Sequence, residues 1–246
     1  MRLAHFLRGS AAIIGLTVSA AATGSGQILF NNGPAVTAGL SVIRAGGTTF
    51  GAGAQATVPN FVADNFSVAG SGWNVTSFSL FSYQSFANSI FTFTGVNWSI
   101  VAGDVNTGTT VASGSTVPTN GGLLGYRVTA TTLTNTDRAI FQLDVDVTDF
   151  SLSAGSYWLR WAMTGTAASG PWAPPTSNGV VGNAAQSAAG APFAPLVDAG
   201  DGLGYELPFI IRGTASSVVP EPSTVSLMLI GVVGMIGIAR RRRVTR

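Results

Sequence analysis

The 246-residue sequence contains no cysteine and no lysine, and its one histidine, His5, lies close to the start. The lack of cysteine excludes disulfides, thiolate nucleophiles and cysteine-ligated metals. The lack of lysine excludes Schiff-base chemistry, and a body without histidine has no Ser-His-Asp triad and no histidine-ligated metal. Carboxylates are therefore the remaining candidates for catalysis, and we expect a protein that is not an enzyme and needs no cofactor.

Charged residues are also scarce, at 9% of the chain against roughly 25% in an average soluble protein. The formal net charge is +2, but two of the twelve arginines lie within the first eight residues and five lie within the last seven. The long middle of the chain keeps five arginines and nine acids, so it is acidic. A body without a basic patch predicts no nucleic-acid partner.

The first 22 residues have the three zones of a secretory signal peptide. These are the positive residues Arg2 and Arg8, the apolar stretch 11–18, and the small residues Ala20 and Ala22. We predict that signal peptidase cuts after Ala22, with Ala20 as the other choice, so that the body is exported. An amphipathic N-terminal helix is the alternative.

The last residues combine a Pro-Glu-Pro motif, an uncharged segment and a basic cluster. The fifteen residues 225–239 would span about 22 Å as a helix, against about 30 Å of hydrocarbon. We therefore predict a marginal transmembrane helix over 224–239, with arginine side chains reaching the interface. The cluster should stay cytoplasmic by the positive-inside rule. It consists of Arg240, Arg241, Arg242 and Arg243.

Pro220 and Pro222, on either side of Glu221, break regular structure and keep the junction before this segment extended. Motif, apolar segment and arginines, in this order, resemble the PEP-CTERM sorting signal of exported bacterial proteins, here at 218–246. The resemblance implies that an exosortase, a membrane peptidase, cleaves near Pro-Glu-Pro after transient anchoring in the inner membrane. The body is then expected at the cell surface, in the outer envelope or in the extracellular matrix, in association with exopolysaccharide and biofilm. An ordinary C-terminal membrane anchor is the alternative.

Between these ends, residues 23–217 show short runs with a period of two, typical of β-strands. Phe141, Leu143, Val145 and Val147 alternate with polar residues, for example. Other candidate strands are 61–68, 73–83, 96–100, 123–131, 157–161 and 206–212, and a bulge is plausible in 73–83. Glycine-rich turns are predicted at 70–72, 120–122 and 153–155. Eight to ten such strands predict an all-β, antiparallel two-sheet sandwich, jelly-roll-like, that forms one extracellular domain.

Residues 165–204 are rich in Gly, Ala and Pro, and we interpret them as a long loop or edge excursion. Because long unstructured connections are uncommon in compact domains, this stretch is a candidate binding loop or flap.

Three sets of side chains are candidates for a site in the body. Asp144 and Asp146 share a strand face at a spacing suited to a glycosidase, although a solvated sheet face explains them better. Asp198 and Asp201 are weak calcium candidates, as are Asp104 and Asn106, although such residues also simply form turns. The remaining set is aromatic.

Trp158 and Trp172 are candidates for sugar binding, because alternation places Tyr157 and Trp161 inside. Large aromatic residues are more often part of the core. The favoured function is a non-catalytic exported protein sorted to the cell envelope. A lectin-like module for exopolysaccharide is the alternative, and a carboxylate-dependent glycoside hydrolase is a weaker one.

Overall fold

Strands form where polar and apolar residues alternate, and the stretch Ala139–Leu152 shows why. Phe141, Leu143, Val145 and Val147 are buried, whereas the residues between them are half-buried or exposed. Successive side chains of a strand point to opposite faces, so this stretch presents one apolar face to a core and one polar face to solvent.

The computed structural model describes residues 26–216, which form two sheets. With strands numbered along the chain, the first sheet contains β1 (Gln27–Asn31), β2 (Leu40–Val42), β3 (Ala52–Gly53), β5 (Trp73–Ser85), β8 (Thr119–Val128), β9 (Ala139–Leu152), β11 (Ser169–Ala173) and β14 (Phe209–Ala215). The second contains β4 (Phe61–Val68), β6 (Phe93–Ala102), β7 (Thr109–Thr116), β10 (Gly155–Gly165), β12 (Ala185–Ser187) and β13 (Ala194–Pro195).

The strand order is β1-β14-β5-β9-β8-β2 in the first sheet and β13-β12-β4-β10-β6-β7 in the second. Strand β11 pairs with the last part of β5 and with β3. All pairs of these strands are antiparallel except β2 and β8. The predicted all-β class and the two sheets are confirmed. Residues 26–216 contain no helix that is long and apolar enough to cross a membrane.

Two details of the sequence interpretation need correction. The predicted turn at 120–122 is wrong, because Gly121 and Gly122 lie inside β8, where the register with β9 shifts between Asn120 and Gly122. A glycine bulge bends a strand without ending it. The stretch 165–204 is not one loop, because it contributes β11, β12 and β13 to the two sheets. The bulge in β5 is confirmed by a register shift between Val75 and Ser77.

Two hydrophobic clusters hold the body together. The larger lies between the sheets and includes Phe78 of β5, Trp161 of β10 and Phe209 of β14. The smaller lies on the opposite face of the first sheet and includes Phe81 and Tyr83. Because neighbouring residues of β5 point to opposite faces, one strand supplies both clusters. The segment between β1 and β3 packs over the smaller cluster through its apolar side chains, Ala35, Val36 and Phe50.

The first and last described strands are neighbours. In their antiparallel pairing Gln27 lies opposite Gly213, and in the next pairing Ala215 lies opposite Trp73. The described chain therefore begins and ends at the same end of the first sheet. Tyr83 lies near the other end of β5.

Candidate functional site

Several predicted functional residues lie outside the described part of the chain. These are the cleavage residues Ala20 and Ala22, the sorting motif Pro220, Glu221 and Pro222, the segment 224–239, and the cluster Arg240, Arg241, Arg242 and Arg243. Their assignments stay predictions as far as structure is concerned. The described residues contain the remaining candidates.

Asp144 and Asp146 lie on the solvent-facing side of β9. The carboxylate of Asp144 accepts hydrogen bonds from Ser79 Oγ at 2.9 Å and from Gln142 Nε2 at 2.7 Å. Asp146 is exposed. These surroundings are polar and show no apolar environment of the kind that tunes a catalytic acid.

The carboxylate of Asp198 is buried among backbone donors. It accepts N–H bonds from Thr48 at 2.8 Å, Thr49 at 3.0 Å and Gly200 at 2.8 Å. Burial alone would raise the pKa of Asp198, but these N–H donors hold the pKa below its ordinary value. Asp198 thus fastens the segment before Phe50 to the loop after β13.

Asp201 and Asp104 are also engaged by protein donors. Asp201 pairs with the guanidinium of Arg44 through two nitrogens, one of them at 2.7 Å. Asp104 accepts N–H bonds from Asn106 and Thr107, each at 2.9 Å, and so closes its own turn. Among residues 26–216 no three His, Cys, Asp or Glu side chains are grouped as a metal site would require.

The two candidate tryptophans lie on different sheets. Trp158 is on β10 of the second sheet and Trp172 is on β11 of the first, and both are half-buried. Tyr157 and Trp161 are buried in the core between the sheets, as predicted. The structure therefore does not bring Trp158 and Trp172 together, and each has to be considered by itself.

Trp172 lines a cleft at the end of β5. In the pairing of β11 with β5, Trp172 lies opposite Tyr83 and Ser169 lies opposite Ser85. On the other side of β5, the N–H of Phe86 donates to the backbone carbonyl of Asp137 at 2.7 Å, which brings the start of β9 alongside. The cleft has a volume of about 200 Å³ and is lined by Phe50, Gly51, Tyr83, Ser85, Arg138, Ser169 and Trp172.

Two of the polar side chains in this cleft, Arg138 and Tyr83, form no hydrogen bond with other residues of 26–216. The guanidinium carbon of Arg138 lies 3.7 Å from the centre of the Phe50 ring. Within residues 26–216, neither the Arg138 side chain nor the Tyr83 hydroxyl takes part in a hydrogen bond, whereas Trp172 Nε1 donates to Ser169 Oγ at 3.3 Å. Sequence reasoning found Trp172 but missed Phe50, Tyr83 and Arg138, which carry no local motif.

A second polar cluster surrounds Asp64, which points into the core and is 0% exposed. Asn32 Nδ2 donates toward Asp64 Oδ2 at 2.9 Å, the Leu207 carbonyl at 3.0 Å and Glu206 Oε2 at 3.2 Å. Burial raises the pKa of Asp64 to about 9, and the adjoining Glu206 carboxyl adds to the rise. The protonated form of Asp64 is therefore favoured more than in an exposed aspartate, but its side chain has no surface that a substrate can reach.

Comparison with known proteins identifies the end of the chain. Residues 218–243 match the family model of the PEP-CTERM protein-sorting motif. No curated protein matches the chain. The matched range contains Pro220, Glu221, Pro222 and the four consecutive arginines, so the resemblance drawn from these residues is confirmed. This motif implies export, sorting at the membrane toward the cell surface and processing by an exosortase. We conclude that the chain carries a PEP-CTERM protein-sorting motif, which follows a two-sheet β-body.

Proposed function

We propose that the protein is a non-catalytic component of the cell surface or extracellular matrix, associated with exopolysaccharide or biofilm. The observation that carries this proposal is the sorting motif at 218–243. A chain delivered by such a motif ends outside the cytoplasm, where the β-body meets the secreted polymers of its own cell.

The proposed route uses both ends of the chain. Residues 1–22 direct export and are removed by signal peptidase, and the apolar segment 224–239 then halts the chain in the inner membrane. Arg240, Arg241, Arg242 and Arg243 hold the tail on the cytoplasmic side. The exosortase cuts near Glu221, between two prolines, a residue type that disfavours regular structure.

Absence of catalysis is supported by the state of the acids in the body. The carboxylates of Asp198 and Asp201 form hydrogen bonds with neighbouring loops. Asp144 lies on the polar face of β9, and Asp64 is buried in the core. Glycoside hydrolysis needs two carboxyl groups that flank a bond of the substrate. None of these four meets that requirement.

The sorting proposal is tested by intact mass spectrometry of the native protein from cells with and without the sorting peptidase. We expect loss of residues 1–22 in both strains and loss of a C-terminal piece beginning near Glu221 only where the peptidase is present. Deletion of 220–246 should leave the body soluble and mislocalised. A native protein that keeps its last two dozen residues in peptidase-containing cells would overturn the proposal.

A second candidate function is carbohydrate binding by a jelly-roll-like sandwich, and the cleft at Trp172 is the observation that favours it. Aromatic faces pack against sugar rings, and this cleft also contains unpaired polar groups that suit sugar hydroxyls. Pull-down with the producer's own polysaccharide tests this function. Retention should fall for Trp172→Ala, whereas Trp158→Ala, on the other sheet, serves as the matched control.

A further inference from the structure

We propose that the cleft formed by Phe50, Tyr83, Arg138 and Trp172 binds an acidic sugar, with the Arg138 guanidinium taking the carboxylate of a uronate unit. This inference rests on the carbohydrate-binding function proposed above and adds the chemical class of the ligand.

The guanidinium of Arg138 forms no salt bridge with a carboxylate of residues 26–216. The salt bridge of the described residues joins Arg44 to Asp201, and no carboxylate there pairs with Arg138. The neighbouring Asp137 accepts from Asn135 Nδ2 at 2.8 Å instead. A half-buried cation with no partner in an acidic body favours an anionic ligand over a neutral one.

The geometry at Arg138 suits a carboxylate in particular. The guanidinium stacks on the face of Phe50, which uses its flat surface and leaves the N–H edge free. That edge is a rigid fork of donors that matches the two oxygens of a carboxylate. Stacking also fixes the orientation of the fork, so little side-chain freedom is lost when a ligand binds.

The opposite side of the cleft suits the ring of a sugar. Trp172 and the start of β9 lie on opposite sides of β5. Beyond Trp172, toward the end of β5, Ser169 is paired with Ser85. The indole supplies an apolar surface, and the two serines supply hydroxyl partners for the ring substituents.

Tyr83 forms the floor of the cleft and supplies a further donor. The side chain is only 2% exposed, its hydroxyl group opens on the cleft, and that hydroxyl has no hydrogen-bond partner among the described residues. Burial raises the pKa of this hydroxyl, which therefore remains a donor at neutral pH. A sugar oxygen held in the cleft would accept a hydrogen bond from it.

Gly51 keeps the floor open. A Cβ at this position would lie 2.8 Å from the Ala173 carbonyl oxygen and 3.0 Å from the Tyr83 hydroxyl. The volume of about 200 Å³ is below the range of about 300–1,000 Å³ for small-molecule sites. We therefore expect the cleft to hold one unit of a longer chain.

The test compares oligomers of polygalacturonic acid with their methyl esters, because the two differ at the carboxylate and share the sugar backbone. Full-length protein is purified in detergent, and binding is measured by calorimetry. We expect the methyl ester to bind at least tenfold more weakly than the acid. Added salt should reduce the difference, since part of the attraction is between charges.

Variants locate the binding to the cleft. Arg138→Gln and Trp172→Ala should each weaken binding of the acid at least tenfold, and Arg138→Lys should retain part of it, because a lysine keeps charge without the fork. Arg212→Gln removes the same charge from an arginine of β14 that also forms no side-chain hydrogen bond, and it should leave binding unchanged. Melting curves establish that each variant is folded.

The outcomes separate the two proposals. Equal affinity for acid and ester, lost on Trp172→Ala, would overturn the uronate inference and leave carbohydrate binding intact. Loss of binding on Arg212→Gln but not on Arg138→Gln would overturn the assignment to this cleft. Binding of neither oligomer, nor of the producer's polysaccharide, would overturn both. The comparison of acid with ester decides the question in the unchanged protein even if Arg138→Gln fails to fold.

Discussion

Two arginines contact Phe50, and they differ in the hydrogen bonds that they form with the rest of the protein. Arg127 is 3% exposed and donates to the Phe50 carbonyl at 3.0 Å, to the Thr49 carbonyl at 2.6 Å and to Ser41 Oγ at 3.0 Å. Arg138 stacks on the ring of the same phenylalanine and donates to none of the described residues. A guanidinium whose three nitrogens all donate within the protein holds structure together, and one whose donors are free is available to a ligand.

The largest expected effect is a loss of stability when the structural arginine, Arg127, is replaced. Arg127→Met leaves two carbonyls and a hydroxyl without their donor, and each buried unpaired group costs about 1–3 kcal/mol. We expect a loss of at least about 3 kcal/mol in the free energy of unfolding, or about 6–12 °C in melting temperature for a domain of this size. Denaturant unfolding measures it.

Arg212→Gln, on an open strand face, is the control for Arg127→Met. If both variants melt at the wild-type temperature, the hydrogen bonds of Arg127 do not hold the segment before β3 in place.

The next effect concerns Asp198, which is the acidic counterpart of Arg127. Asp198→Ala removes the acceptor of three backbone N–H groups, and we expect a loss of about 2 kcal/mol. Because Thr49 precedes Phe50, the same change should also weaken glycan binding at the cleft. Asp146→Ala, at an exposed position of β9, should cost no more than about 0.5 kcal/mol and leave binding unchanged. Equal stability losses for the two variants would contradict this difference.

A pH profile extends the comparison to carboxyl groups. The pKa of Asp64 rises from 3.8 to about 9 on folding, so the folded state binds a proton that the unfolded state releases between these values. Stability should therefore fall as the pH rises through this window, by at most about 1.4 kcal/mol per pH unit. Asp198 acts in the opposite sense, because its pKa is lowered and its contribution is lost as the pH falls below about 4.

Glu206→Gln is the variant that tests the origin of this profile. It removes the neighbouring carboxyl and offers Asp64 an amide donor, so the pKa of Asp64 should drop and the fall in stability should end at a lower pH than in the unchanged protein. Denaturant unfolding at several pH values locates this upper end of the window. The same upper end in this variant would show that Glu206 does not contribute to the rise.

The smallest expected effect on stability comes from replacing Arg138, the arginine assigned to ligand binding. Arg138→Gln should change the free energy of unfolding by no more than about 1 kcal/mol, because it removes the stacking on Phe50 but no hydrogen bond to a described residue. Thermal unfolding and glycan binding are measured on the same sample. A large destabilisation would mean that Arg138 is a structural residue like Arg127.

What the sequence revealed depends on how local each signal is. The sorting motif is contiguous, so it was identified from the residues alone. The burial pattern of β9 followed from strict alternation. The bulge at Gly121 and Gly122 was mistaken for a turn, because glycines permit both and only the register with β9 decides between them.

The cleft was not predictable, because it also depends on which strands pair with each other. Phe50, Arg138 and Trp172 lie far apart in sequence and meet because β11 and the start of β9 flank the end of β5. Strand alternation states which residues share a face, but it does not state which strands are neighbours. Trp172 stood out as a large aromatic residue in a stretch rich in glycine and proline, whereas Arg138 had no such signal.

The register of β14 with β5 also places the end of the body and the cleft at opposite ends of β5. Ala215, just before the sorting motif, lies beside Trp73, and Tyr83 is ten residues further along the strand, or about 33 Å at 3.3 Å per residue. That separation is several times the screening distance of about 8 Å in physiological salt. On the proposed route, in which the body is tethered through the residues after Ser216, lipid headgroups would therefore lie too far from Arg138 to compete for its charge.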